Sequence, residues 1–300
     1  MTREHLVRAL WTLYEPIHAV TYFSTQAREG FAAVGLTRYW DGYFAGRSAP
    51  LGRVTAAPVT ALFAGFSPFL VERALPNAWS TASPEQVLDA RSAGAAATIR
   101  SVFEDEGRVG AATTALTEIA LRADVIGRPL AAANQAIPEY EDPYRRLWQA
   151  AATLREHRGD GHVTAQVTER IAGLTAIVLR SGADIDAATM KRARGWTDEQ
   201  WAHAADALVV RGLLGTDGIA TPDGLAALRR TENLTNRLAL QPWESEDDHG
   251  IRRIAELLHP ISSACATIFP YPNPIGIPQP WDAATDPDAV TVPEGPSARV

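Results

Sequence analysis

Residues 197–228 read "TDEQWAHAADALVVRGLLGTDGIATPDGLAAL", and the punctuation of this stretch decides the fold. Thr197 can N-cap a helix, because its side-chain oxygen can accept an unpaired amide hydrogen of the first turn. The helix from there ends in "RGLL". Asp217-Gly218 marks the centre of a tight hairpin turn. Thr221-Pro222-Asp223 then opens a further helix, with proline at the position where its missing N–H costs nothing. Upstream, "VTERIAGLTAIVLRSG" (167–182) and "DAATMKRARG" (186–195) read as two more helices or close helical pieces.

Three helices, a small hairpin and a closing helix are the order of a winged helix-turn-helix domain. Working outward, Asp142 and Pro143 start a helix whose Leu147, Ala150, Ala151 and Leu154 share one face. A second helix is expected after "HRGDG", with Gly159 closing the first and Asp160 capping the second. In the N-terminal half, residues 4–31 show helical periodicity, with Pro16 expected to kink the run unless a helix begins there. Ser67-Pro68 is a start signal and Leu75-Pro76 a stop. Ser83, Pro84 and Gln86 form a capping-box pattern. Another helix is expected over 109–124, and the proline-punctuated run 126–143 reads as a connector. The fold class is therefore mainly α. It comprises a helical domain over 1–137, a winged helix-turn-helix domain with a small β-hairpin wing over 138–240, and a C-terminal helix and tail over 241–300. The proline-rich "FPYPNPIGIPQPW" (269–281) is expected to run extended over the surface or a partner. The acidic end from Asp282 is expected to be disordered.

The 300 residues are 46% hydrophobic and 21% charged, close to the globular norm. The single cysteine, Cys265, excludes an internal disulfide and suits a reducing cytoplasm. No signal peptide or membrane span is read. The net charge of −7 is unevenly spread: residues 1–135 carry 12 basic and 12 acidic side chains, 136–240 carry 13 and 14, and 241–300 carry 3 and 9. No part is basic, whereas nucleic-acid binding draws much of its affinity from neutralising phosphates. The helix from Thr197 opens with Asp198 and Glu199 and also carries Asp206, its one cation is Arg211, and the turn beyond it carries Asp217 and Asp223. These carboxylates argue against DNA binding, and the short basic run "MKRAR" (190–194) argues for it.

Several strings resemble an actinobacterial helix-turn-helix family, the SalK-like proteins. They are "EPIHAVTYFSTQAREGF" (15–31), "YFAGRSAPLG" (43–52), "FSPFLVERALPNAW" (66–79), "LWQAAATLREHRGDGHVTA" (147–165) and "ARGWTDEQWAHAADALVVRGLLGTDG" (193–218). The resemblance spans roughly residues 8–240. It implies a fold and brings no activity with it, because fold does not determine function.

Three stretches could carry chemistry. In "LWTLYEPIHAVTYF", Trp11, Glu15, His18 and Tyr22 fall on one helical stripe among apolar neighbours. A carboxylate beside an imidazole suits general acid–base work, and equally a satisfied buried pair. In "RYWDGYFAGRSAPLG", Trp40, Tyr43 and Arg47 could line a pocket for a flat ligand, the arginine holding a carboxylate. The alternative is an aromatic core patch with Arg47 paired to Asp41. In "LREHRGDGHVTAQV", capping accounts for Gly159 and Asp160 and the helix dipole for His157, leaving Arg158 and His162 for a ligand. The two histidines stand five apart with no cysteine nearby, so no metal site is expected.

The expected function is small-molecule binding in specialised metabolism, as a cofactor-independent acid–base enzyme (an isomerase, cyclase or lyase) or a sequestering binder. Glu15, His18 and His162 are the catalytic candidates, and Tyr22, Trp40, Tyr43, Arg47, His157 and Arg158 the ligand-binding ones. His18 is expected to share one cavity with His162 or Arg158. The alternative is a ligand-responsive transcriptional regulator. No cofactor is expected, since no dinucleotide, phosphate-loop or nucleophile-elbow motif is present. The expected partner is a small organic ligand, with a homodimer as an option, and neither DNA nor a membrane.

Overall fold

A computed structural model describes residues 2–271, 273 and 275–282. The N-terminal half runs α1 (Arg3–Phe23), α2 (Thr25–Ala33), α3 (Tyr39–Ser48), α4 (Ala56–Phe63), α5 (Pro68–Glu72), α6 (Ala78–Thr81), α7 (Pro84–Val102) and α8 (Glu106–Leu121). Then follow α9 (Pro129–Gln135), α10 (Pro143–Thr168), α11 (Leu174–Ser181), α12 (Ala187–Arg194), α13 (Asp198–Val210), α14 (Pro222–Leu240) and α15 (Asp248–Ala266). The protein is mainly α, as expected.

Many starts follow the capping chemistry of the sequence. Ser83 with Gln86 and Thr197 with Gln200 form reciprocal capping boxes at α7 and α13. Ser67, Asp142 and Thr221 cap α5, α10 and α14, each with proline behind it. α1 continues through Pro16. The proline lacks the N–H that would bond the Thr12 carbonyl, and the Ser262 hydroxyl of α15 approaches that carbonyl at 3.5 Å instead.

α1 and α10 are the axes of the main core. Leu10, Leu13 and Ile17 of α1 and Leu147, Trp148 and Ala151 of α10 pack with Ile99 of α7, Leu116 of α8 and Leu258 of α15. A second, aromatic core lies under α2–α7, with Tyr43, Phe44, Phe63, Phe66 and Trp79 in ring contact or close by. A third, smaller core holds α11, α13 and the start of α14 together through Leu179, Leu208, Leu214 and Ala227. The described residues of the proline-rich segment are seated on the protein itself. Trp281 is buried in the main core, its backbone N–H donating to Thr12 Oγ1 at 2.9 Å, and Phe269 and Ile277 are buried in the aromatic one. The expected acidic tail, from residue 283 on, lies outside the described residues.

Three expectations need correction. No strand forms among the described residues; the wing is a tight turn closed by the single bridge Leu214–Ala220, with Asp217 Oδ1 accepting from the Ile219 N–H. The run 126–143 is not mere connector, because α9 forms inside it. Finally, "HRGDGH" is no turn, since α10 runs unbroken from Pro143 to Thr168. Asp160 is indeed a helix cap, but of another helix: it accepts from the N–H groups of Leu130 and Ala131, both at 3.0 Å, at the start of α9. Gly161 stays helical because its neighbours need the space. A Cβ there would come within 2.8 Å of Arg128 Nη1 and 3.3 Å of Leu238 Cβ on α14.

Candidate functional site

Where α1, α3, α7, α9 and α10 converge they leave a small, partly open cavity of about 20 Å³, room for about one water. α1 supplies His18 and Tyr22, one turn apart. α3 supplies Tyr43 and Arg47, and α7 supplies Arg91. α10 supplies Trp148, Ala152 and Glu156, four residues apart and so on one stripe. Gly42 and Gly46 form part of the wall because Phe31 of α2 lies flat on α3. A Cβ at Gly46 would meet the Phe31 ring at 2.6 Å.

The cavity is flanked by a buried ion-pair chain. Arg47 grips Glu156 with two bonds, Nε to Oε1 at 2.8 Å and Nη2 to Oε2 at 3.0 Å, and stacks over the Phe63 ring. Arg155 donates to Glu156 Oε2 at 2.9 Å and reaches Glu15 Oε1 at 3.5 Å. The Trp11 indole N–H donates to Glu15 Oε2 at 3.0 Å. Burial by itself would raise the Glu156 pKa, but Arg155 and Arg47 outweigh it and hold the carboxyl well below the usual range.

Three other groups have unmet needs. Among the described residues, no hydrogen-bond partner faces His18 Nδ1, the Tyr22 hydroxyl or Arg91 Nε, although all three atoms are buried. Glu15 Oε1 is 3.9 Å from His18 Nδ1, too far for a hydrogen bond. The His18 ring stacks on Trp148 and meets Tyr22 edge-on, at centroid distances of 5.9 and 5.2 Å. Burial, helped by the nearby Arg155 cation, pushes the His18 pKa well below normal, so the imidazole is neutral at pH 7. Burial likewise raises Tyr22, which keeps its proton. Arg91 donates only to neutral oxygens: the Gly46 carbonyl (2.9 Å), Asn134 Oδ1 (2.9 Å) and Gln149 Oε1 (3.4 Å). Burial lowers its pKa to about 10, which leaves it charged at neutral pH.

Of the candidate residues, His18, Tyr22, Tyr43 and Arg47 therefore meet at one cavity, with Glu15 just behind it. Arg47 is paired to Glu156 and not to Asp41, whose carboxylate is taken by Arg38. Trp40 packs on Tyr43, Phe44 and Phe66 in the aromatic core, outside the cavity lining. The expected cavity joining His18 to His162 or Arg158 does not form. At about 100° per residue, Arg158 and His162 point roughly 200° and 240° around α10 from Glu156. They face α14, where Arg158 donates to Glu232 Oε1 (2.6 Å) and Asn236 Oδ1 (2.9 Å), and Arg8 of α1 also pairs with Glu232. His162 Nδ1 bonds Thr235 Oγ1 and its Nε2 bonds Gln166, both at 2.9 Å. Thr235 gives its own proton to the Thr231 carbonyl, so the network makes His162 a neutral imidazole carrying its proton on Nδ1. His157 is buried mid-helix, and burial lowers its pKa to about 3. Sequence reasoning missed Arg91, Trp148 and Glu156. The signal for Arg91 was a lone cation within "ARSAGAAA", on a helix face otherwise made of small residues.

α12, the turn at Gly195 to Thr197 and α13 form a helix-turn-helix unit, tied to the N-terminal half. The Trp196 indole donates to the Gly65 carbonyl, and the Ser67 N–H donates to the Arg194 carbonyl, both at 2.9 Å. The outward face of α13 exposes Asp198, Glu199, His203, Asp206 and Val210. Within "MKRAR", Lys191 pairs with Asp198 and Arg194 lies over the Phe66 ring at 4.3 Å.

The fold and site thus define an all-helical protein with a helix-turn-helix module beside a buried polar cavity. Residues 7–270 match the model of the Helix-turn-helix family, and the chain belongs to that family. Comparison with curated proteins and with solved structures returns no match. Among the described residues, no helix is long and apolar enough to cross a membrane.

Proposed function

We propose that this helix-turn-helix protein binds a small organic molecule in the cavity between α1, α3, α7 and α10. It acts there as a cofactor-independent acid–base enzyme or as a sequestering binder, within the SalK-like branch of its family. The observation that carries the reading is the convergence of three buried polar atoms without partners, on His18, Tyr22 and Arg91. Buried polar groups are nearly always satisfied, and a cluster that is not marks a place where something else binds. A neutral imidazole can accept a proton and a protonated phenol can give one, so the pair suits proton transfer on a bound substrate. Native mass spectrometry of the protein incubated with a metabolite extract tests the reading. The expected result is a mass adduct that weakens in Tyr22→Phe and His18→Ala. Failure of any compound to bind, with no rise in Tm, would overturn it.

The second reading is a ligand-responsive transcriptional regulator. The shared Glu232 pairs, which join α1 and α10 to α14, favour it. The acidic outer face of α13 opposes it, since phosphates would be repelled there.

A further inference from the structure

We propose that the cavity widens to take a small organic monocarboxylate, its carboxylate accepting from Arg91 and Tyr22 and its apolar body lying against Trp148, Phe31 and Ala152. This rests on the cavity being a ligand site, and it adds the charge and class of the ligand.

Charge is the first argument. The cations at the cavity and its immediate flank are Arg47, Arg91, Arg155 and Arg194, the last hydrogen-bonded to Tyr43; the anions are Glu15 and Glu156. The cations outnumber the anions, and Arg91 is the cavity-lining cation that has only neutral oxygens around it. The nearby Asp160 is offset by the Arg128 cation beside it. A buried cation without a counter-ion is costly, and an anion that brings one negative charge removes the cost.

Hydrogen bonding is the second. Arg91 Nε–H and the Tyr22 O–H are donors without acceptors, and His18 Nδ1 can serve in either role with its tautomer. Two unmet donors beside a surplus cation are complementary to a planar carboxylate, which is acceptor-only and takes guanidinium donors well. Water could meet the donors but not the charge. A metal cation would be repelled. The remaining wall is aromatic or small, with the Phe31 ring held flat by Gly42 and Gly46. Arg47, the residue the sequence offers for a carboxylate, already has its charge paired by Glu156.

The test is calorimetric titration and thermal shift on the full chain with acetate, benzoate, phenylacetate and 1-naphthoate, each paired with its carboxamide, and with inorganic phosphate. The expected result is that at least one carboxylate binds about tenfold or more tightly than its amide. The preference should disappear in Arg91→Gln. In Tyr22→Phe affinity should fall while the unliganded Tm is unchanged or higher, because an unpaired buried hydroxyl has been removed. Should Arg91→Gln fail to fold, the acid-to-amide ratio and Tyr22→Phe decide alone. Amides binding as tightly as acids, with both weakened in Tyr22→Phe, would overturn the carboxylate assignment and leave the cavity reading standing. Preferential binding of phosphate would overturn the assignment too. No saturable binding by any probe or by the metabolite extract would sink both.

Discussion

Glu156→Gln is the most informative single change in this protein. The carboxylate is buried and accepts three charge-assisted hydrogen bonds, at 2.8 and 3.0 Å from Arg47 and 2.9 Å from Arg155. Such bonds contribute about 1.5–3 kcal/mol each in net terms. Glutamine keeps one acceptor oxygen, loses the charge and turns an NH2 toward a guanidinium. At least one of the three bonds is lost, and the local positive surplus rises by one. Removing one partner of a buried ion pair costs about 3–5 kcal/mol, because the other partner is left unpaired. Urea denaturation should show that loss, and Tm should fall by roughly 10 °C. A double-mutant cycle with Arg47→Gln should give a coupling of about 1–3 kcal/mol. The acid limb should change as well. The folded-state pKa of Glu156 lies below the ordinary 4.5, so its stabilisation is fully present above that value and fades as pH falls toward the folded one. The variant should therefore lose less stability on acidification than the wild type. A Glu156→Gln cost below about 1 kcal/mol, with additive behaviour toward Arg47→Gln, would refute the ion-pair account.

Three further outcomes follow from the same geometry. Asp160→Ala should cost about 1–2 kcal/mol by uncapping α9, and Asp160→Asn clearly less because one acceptor oxygen survives; hydrogen exchange should show early opening at Leu130 and Ala131, and protection unchanged there would contradict the cap. Burial lowers the pKa of His157 to about 3, of His162 to about 4 and of His18 well below 6.5, so the unfolded chain protonates first as pH drops through 6.5 and stability is lost from there downward. The slope should be about 1.4 kcal/mol per pH unit for each histidine charged only when unfolded, and a flat denaturation midpoint between pH 6.5 and 5 would refute it. Heparin or duplex DNA at low salt should not retain the protein, given the exposed carboxylates of α13; retention that falls steeply with salt would favour the regulator instead.

Element starts were legible because a cap is local. Ser83, Asp142, Thr197 and Thr221 each satisfy amide hydrogens two or three residues on, and the reading needs nothing distant. The stripe of Glu15, His18 and Tyr22 was legible for a similar reason, since helical spacing fixes which side chains share a face. The wing was over-read, because the same glycines and Asp217 that make a hairpin turn do not supply strands, and here the pairing stops after one bridge. Arg91 was legible only as a lone cation among small residues, and its role was not. Its importance lies in what it lacks, a carboxylate partner, and only the packing of α7 against α3, α9 and α10 reveals that.

The stretch "HRGDGH" shows the limit most clearly. Two glycines around an aspartate satisfy every local rule for a helix break, and each rule is sound in isolation. Here Asp160 turns its carboxylate to α9, and Gly161 makes room for Arg128 and for α14. The helix therefore continues, at a cost of about 1 kcal/mol for each internal glycine, and tertiary contacts offset it. That continuity has a functional consequence. Had the chain turned at Gly159, Glu156 and His162 would have lain on different helices, free to face the same cavity. In one unbroken helix they are held on different faces, so Trp148, Ala152 and Glu156 go to the cavity while Arg158 and His162 go to Glu232 and Thr235 on α14. Two cap bonds to a helix thirty residues upstream, with the close packing at Gly161, thus help to separate the polar groups of α10 into two centres.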